Sequence, residues 1–254
     1  MRKSPLRHAL QTLYGLYAST MLAVVIIPLC LLIISGPTLG IRRAIGRAGV
    51  KLAMLAIGQP LRVSGLQHLP PGPCICVANH ASYVDGLVLT AALPARFTFL
   101  VQHGAATWPL AGKTIQRMGV SFVNRGSARD AALATRELLR RIQSGESFAI
   151  FAEGTFKQPR GLLAFHSGAF VIASKAGVPV VPAVLRGTRQ LFGEGMRLPG
   201  WSRIEIEILP AIAPVGEGRE AANRLRDGVR AAILGRCGEP DAATVATESP
   251  SSEV

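Results

Sequence analysis

Between Ala9 and Ile41 the chain carries no charged residue, and within that window Leu13–Ile34 (LYGLYASTMLAVVIIPLCLLII) runs for 22 residues without a charge. About 20 helical residues cross the hydrocarbon of a bilayer, so this segment either enters lipid or is covered by another layer of protein. Pro28 inside it and Gly36-Pro37 after it are helix-bending and helix-stopping signals, so a kinked or re-entrant helix competes with a straight span. Arg2, Lys3 and Arg7 give the start of the chain a basic end like that of a secretory signal. The apolar stretch is too long for one, and no small-x-small cleavage site follows it.

Past Pro37, the stretch TLGIRRAIGRAGVKLAMLAIG repeats apolar residues at helical spacing (Ile41, Ile45, Ala48, Leu52, Leu55), with Arg43, Arg47 and Lys51 on another stripe. This predicts an amphipathic interfacial helix whose cationic face meets anionic headgroups. The alternative is a soluble helix with a solvated basic face. Eight Lys/Arg precede Asp85, the first acidic residue of the chain, so none of them has a carboxylate nearby in sequence. Membrane lipids are therefore the partner expected for residues 1–58. Basic residues on both sides of the apolar run suit a hairpin returning to the cytoplasmic face or a single span.

The formal charge of +13 on 254 residues also raises nucleic acid as a partner. No helix-turn-helix or zinc spacing is present and aromatics are only 6% of the chain, which argues against it. Four scattered cysteines exclude a disulfide scaffold and fit a reducing compartment. At the other end, GEPDAATVATESPSSEV has four acids and no base, and residues 237–254 read as a disordered acidic tail.

From 59 to 236, short apolar runs alternate with helical patterns. Strands are expected at 74–79, 97–101, 120–123, 147–152, 178–185 and 203–209, and helices near 86–93, 108–118, 128–143, 168–176 and 220–234. The helix at 128–143 has the clearest signals: Ser127 and Asp130 at its start, a stripe of Ala131, Ala134, Leu138 and Ile142, and Gly145 at its end. Strand-helix alternation implies an α/β sheet covered on both faces. Cys74 and Cys76 fall on one face of a strand as small core residues. The prolines of Val178-Pro179-Val180-Val181-Pro182 mark the ends or edge of a strand, and Trp108-Pro109 opens a helix.

The block Asn79-His80-Ala81-Ser82-Tyr83-Val84-Asp85 lies at a strand-to-helix corner, the carboxyl edge where α/β sheets bind ligands. A His and an Asp five residues apart can meet there, the carboxylate fixing the imidazole tautomer and leaving the second nitrogen to take a proton. No Gly-x-Ser-x-Gly nucleophile accompanies them, which points to direct deprotonation of a substrate hydroxyl that attacks an acyl carbonyl. The competing reading has Asp85 capping the helix and His80 sitting in the core.

Three further blocks follow in order: Gly119-Val120-Ser121-Phe122-Val123-Asn124-Arg125, Phe151-Ala152-Glu153-Gly154-Thr155, and the Val178–Pro182 strand. Together with the His-x4-Asp block they resemble the glycerolipid acyltransferase family typified by 1-acyl-glycerol-3-phosphate acyltransferases, over roughly residues 60–210. The resemblance implies a mixed α/β sheet covered by helices, of the glycerol-3-phosphate acyltransferase type, on a membrane-embedded N-terminal helical anchor. It implies transfer of a fatty acyl group from acyl-CoA or acyl carrier protein, as co-substrate rather than cofactor and without a metal, to a lysolipid hydroxyl, most simply 1-acyl-glycerol-3-phosphate giving phosphatidate. It further implies an enzyme on the cytosolic side of the inner membrane. By position, His80 is the general base, Asp85 its orienting partner, Arg125 a phosphate-binding cation, and Glu153-Gly154-Thr155 a substrate-binding loop. An Arg fork matches a phosphate, and glycine lets backbone N–H groups approach an anion.

Four positions depart from the family pattern: Phe156 and His166 stand where a cation is common, as does Gln102, and Ala152 replaces a proline. Either Lys157 and Arg160, or Lys113 and Arg117, restore the charge from shifted positions, or the acceptor is a lysophospholipid or lyso-aminolipid without a bare phosphomonoester. A non-catalytic lipid-binding protein and a thioester hydrolase are the readings from other classes.

Overall fold

The computed structural model describes residues 5–123, 128–156 and 160–243. Helix α1 (Pro5–Ser35) runs unbroken through Pro28. It stops at the Gly36-Pro37 break, and Thr38 then caps α2 (Leu39–Ala56), its hydroxyl accepting the Ile41 N–H at 3.3 Å. The two helices pack as an antiparallel hairpin. At Gly49 they approach so closely that a Cβ would lie 2.2 Å from the Leu29 Cδ1. Across the far end, the Tyr14 and Tyr17 hydroxyls donate to the carbonyls of Ile57 and Ala56, at 3.0 and 2.6 Å.

The hairpin turns Arg43 inward, against the expected orientation of the basic stripe, while Lys51 stays exposed. Arg43 is only 7% exposed; it donates to the carbonyls of Met118 (3.0 Å) and Ala95 (3.3 Å) and stands 3.6 Å from Glu146. Arg42 donates to the Gly36 carbonyl (2.7 Å), and Arg117 donates to those of Ile34 (3.0 Å) and Gly36 (3.3 Å). These guanidinium groups satisfy carbonyls that the end of α1 leaves without intrahelical partners, where the helix dipole also favours a cation. The apolar stripe faces outward instead: Ile41, Leu52 and Leu55 are exposed, together with Leu13, Leu16, Val24, Ile27, Leu31 and Leu32 of α1. Arg117 is thereby committed to α1, which removes it as a substitute headgroup cation; Lys113 is exposed.

The remaining chain forms a seven-stranded mixed sheet of strands β1 (Arg62–Ser64), β2 (Ile75–Ala78), β3 (Phe97–Gln102), β4 (Ser121–Val123), β5 (Ser147–Phe151), β6 (Val180–Arg186) and β7 (Glu205–Ile208), in the order β1-β7-β6-β2-β5-β3-β4. Only the β6–β7 pairing is antiparallel. The helices are α3 (Asp85–Ala92), α4 (Ala111–Arg117), α5 (Ala128–Gln143), α6 (Gly168–Ala176), α7 (Thr188–Phe192) and α8 (Gly218–Cys237). One face of the sheet packs on α2 and α3, the other on α5, α6 and α8. β2 and the residue before it show the strand alternation directly: Cys74, Cys76 and Ala78 enter the first layer, Ile75 and Val77 the second. Burial pushes both thiols of Cys74 and Cys76 up, so they are inert core residues.

Three expectations need correction. Pro182 lies inside β6, a central strand, rather than at an end or edge. The ladder with β7 covers Ala183–Arg186, resuming at a bridge between Val180 and Ile212, and Pro182 faces the break between them, where its missing N–H leaves no ladder acceptor unpaired. Trp108-Pro109 precedes α4, which starts at Ala111 after a 3₁₀ turn at His103–Thr107. Residues 238–243, assigned by composition to a disordered tail, instead pack on the domain, with a bridge between Leu162 and Asp241. Four acids without a local base suggested disorder, but Arg189 and Arg230 supply the bases from distant parts of the chain.

Candidate active site

β2 ends at Ala78, beside β5 and β6, and the chain then turns into α3. Asn79 fixes that exit: its amide donates to the Leu185 carbonyl (3.0 Å) and its oxygen accepts the Leu185 N–H (2.8 Å). The side chain thus extends the parallel ladder by one rung after the backbone has left it. At the other end of the turn, the Ser82 hydroxyl donates to the Phe192 carbonyl (2.7 Å), and the Tyr83 N–H to the same oxygen (3.3 Å).

Inside this frame, His80 and Asp85 meet. Their Nδ1···Oδ2 distance is 2.8 Å; the Asp85 side chain is fully buried and that of His80 is 18% exposed. The same Oδ2 accepts the N–H groups of Ala81 (2.6 Å) and Ser82 (2.8 Å). Two backbone N–H groups thus already point at the oxygen that faces the imidazole; a ring proton on Nδ1 completes the set and leaves Nε2 as the basic nitrogen. Asp85 opens α3 but makes no helix-capping hydrogen bond; its carboxylate folds back on the loop. The capping alternative is excluded, and so is a core histidine.

Aromatic rings flank the imidazole. Phe151 stacks on it at 4.3 Å and Phe156 meets it at 4.5 Å, tilted by 58°; Tyr83 sits edge-on to Phe156 at 4.6 Å. Apolar walls of this kind exclude water from the basic nitrogen's surroundings and suit a greasy acyl chain.

Glu153 does not occupy the place expected of a substrate ligand. It is 3% exposed, and its two oxygens accept the backbone N–H groups of His80 (2.6 Å) and Leu163 (2.8 Å). Burial pushes its carboxyl up to about 7, against the pull of those two donors; the Asp85 charge adds to the rise and Arg189 opposes it. Glu153 therefore braces the histidine loop. Gly154 adopts the left-handed conformation (φ 74°), and its N–H donates to the Phe151 carbonyl (3.2 Å), so that donor closes the turn rather than facing an anion. Thr155 and Arg160 are exposed. Arg125 and Lys157, with Ser127 at the start of α5, lie outside the described residues. Among the described residues no group of three His, Cys, Asp or Glu side chains gathers to hold a metal ion.

The family model described as Acyltransferase matches residues 60–186, half of the chain. This chain belongs to the acyltransferase family. The lyso-ornithine lipid O-acyltransferase of Pseudomonas aeruginosa is 31% identical over 201 residues, which are 72% of this acyltransferase and 77% of that one. The 1-acyl-sn-glycerol-3-phosphate acyltransferase of Borreliella burgdorferi is 28% identical over 167 residues, 65% of this chain and 67% of the other. The match to the chloroplast enzyme BAT2 of Brassica napus is 34% identical but spans only 39% of that protein. In fold, this acyltransferase matches the crystal structure of the acyltransferase PlsC from Thermotoga maritima, with a TM-score of 0.72 at 22% identity, over 97% of this chain and 99% of that one.

The sequence named His80 and Asp85 as the pair. It gave Asn79 and Ser82 no role and missed Phe192 altogether. Asn79 was legible as a hydrogen-bonding side chain placed directly after a buried strand, whereas Phe192 belongs to a five-residue helix with no periodicity to read.

Proposed function

We propose that this acyltransferase moves a fatty acyl group from an acyl thioester, acyl-CoA or acyl carrier protein, to a lysolipid hydroxyl, with 1-acyl-glycerol-3-phosphate as acceptor and phosphatidate as product. The observation that carries this reading is the 2.8 Å contact between His80 Nδ1 and Asp85 Oδ2. Nε2 of His80 takes the proton of the lysolipid hydroxyl as its oxygen attacks the thioester carbonyl, and Asp85 stabilises the imidazolium that forms. Collapse of the tetrahedral adduct breaks the C–S bond, and the departing thiolate takes the proton back from the imidazolium. An ester and a free thiol result, with no covalent acyl-enzyme. Arg160, with Arg125 and Lys157, are the cations proposed for the headgroup.

A second acceptor class has an observation in its favour. Phe156, not a cation, packs at 4.5 Å from His80, which suits a lysolipid whose polar group is not a bare phosphomonoester, such as a lyso-aminolipid.

Membrane lipids are the proposed surface partner, with the α1–α2 hairpin lying along one leaflet of the inner membrane and the catalytic domain on the cytosolic side. Gly15 of α1 lies against Leu198, and Ile34 near its other end is bound by Arg117. Those contacts are roughly 28 Å apart along the helix, so both ends of α1 rest on the same side of the catalytic domain. A helix crossing a bilayer could not keep both contacts. The exposed leucines of the hairpin then face acyl chains.

The decisive assay measures thiol release and product mass with acyl-CoA and acyl carrier protein against a panel of lysophosphatidate, lysophospholipids and lyso-ornithine lipid in vesicles. Acceptor-dependent thiol release that disappears in His80→Ala is expected. Undiminished turnover in that variant overturns the mechanism; thiol release without any acceptor indicates a hydrolase, and none with every acceptor a lipid-binding protein.

A further inference from the structure

After α8 the chain turns at Gly238 (φ 71°) and runs back as Glu239–Ala243 beside Leu162. The Leu162 N–H donates to the Pro240 carbonyl (2.8 Å), and the Ala242 N–H to the Leu162 carbonyl (3.1 Å). The two segments are so close at Gly161 (φ 138°) that a Cβ there would lie 2.6 Å from the Pro240 oxygen. Arg230 of α8 locks this junction: it donates to the carbonyls of Leu162 (2.7 Å) and Leu163 (3.0 Å) while both Asp241 oxygens accept from its guanidinium. That fork is bidentate and charge-assisted. Arg230 and the Ala243 N–H hold the Asp241 carboxyl down at about 2, so the pair stays ionised at any pH at which the enzyme would work.

Two routes lead from this segment to the histidine loop. The first passes from Leu163 through its N–H to Glu153, and from Glu153 to the His80 N–H. In the second, Glu239 pairs with Arg189 of α7 (2.7 Å), and Phe192 at the end of α7 holds Ser82 and Tyr83. Both ends of the 80–83 loop are thus braced by elements that Glu239–Ala243 ties down.

We infer that Glu239–Ala243 is a strap that fixes the loop carrying His80, and that Arg230 and Asp241 are positioning residues for acyl transfer. The inference rests on the reading of His80 as the general base. Misplacing a catalytic group by about 1 Å costs up to about a hundredfold in rate; loosening one of two braces shifts the loop by less.

The test compares steady-state rates of the full chain in vesicles for Arg230→Ala, Asp241→Asn and Gly161→Ala with Arg230→Lys and Arg236→Ala. Arg236 lies on the same helix, but its guanidinium pairs with Glu207 (2.6 Å) and not with the strap. Arg230→Ala is expected to lower kcat by about tenfold, with KM for both substrates within twofold of the parent, and Arg230→Lys to recover part of the loss. Arg236→Ala should keep the parent kcat. If Arg230→Ala does not fold, Asp241→Asn and Gly161→Ala carry the same expectation. A kcat within twofold of the parent in the strap variants overturns the inference while leaving acyl transfer intact, and so does a kcat loss in Arg236→Ala matching theirs. Absence of turnover in the parent protein instead overturns the acyl-transfer reading on which it stands.

Discussion

Replacing Glu153 with Gln separates a bracing carboxylate from a substrate ligand. Both oxygens of Glu153 accept backbone N–H groups, from His80 and Leu163. An amide offers one acceptor and one donor, so in either orientation its NH2 confronts an N–H. A buried donor left unpaired costs about 1–3 kcal/mol. Against this stands the cost of charging Glu153. Burial raises its carboxyl from 4.5 to about 7, which corresponds to roughly 3 kcal/mol of stability linked to its ionisation. Because the folded-state value is the higher one, that stability is fully present below pH 4.5 and is lost as pH rises through about 7. Urea denaturation in detergent, at steps from pH 5 to 8.5, should show the parent weakening with pH and Glu153→Gln lacking that slope. The variant is then about 1–3 kcal/mol less stable at pH 5 and equal to or better than the parent at pH 8.5. Two parallel curves would refute the burial argument. In acyl transfer, kcat should fall about tenfold with KM for the lysolipid unchanged. A raised KM at constant kcat would return Glu153 to the role of substrate ligand.

Two further variants probe the histidine pair and the anchor. Asp85→Asn keeps an oxygen for the three donors that now share Oδ2 but loses the charge behind the imidazolium; a fall of about 10–100-fold in kcat is expected, from the roughly 1.5–3 kcal/mol of a charge-assisted bond. Asp85→Ala strands all three donors, and circular dichroism should report a lower melting temperature together with abolished turnover; equal rates in the two variants would sink the charge argument. For the anchor, fluorophores placed singly at Leu16 and Leu31 should be quenched equally by brominated lipids at one depth, and an impermeant thiol reagent should reach cysteines placed at either end of α1 from one side only. Reaction from opposite faces would establish a crossing helix.

Much of the catalytic domain was legible because buried strands and amphipathic helices carry their periods in sequence. α5 and α6 match the ranges expected, and the strands at 75–78 and 147–151 fall inside theirs. β1 and α7, of three and five residues, were missed because neither is long enough to show a period. Arg43 was misplaced for a different reason. A stripe of cations at helical spacing is the same pattern whether it faces lipid headgroups or the carbonyls and carboxylate of another element; only the Met118, Ala95 and Glu146 contacts distinguish them.

From the chain of amino acids alone came the long apolar helix, the α/β alternation and the imidazole–carboxylate pair, since each depends on residues near one another in sequence. What Glu153 does, which way the basic stripe turns, and why Glu239–Ala243 is ordered were settled by tertiary structure. Each of those depends on donors and acceptors brought together from distant segments, and a polar group shows its purpose only once its partner is in place.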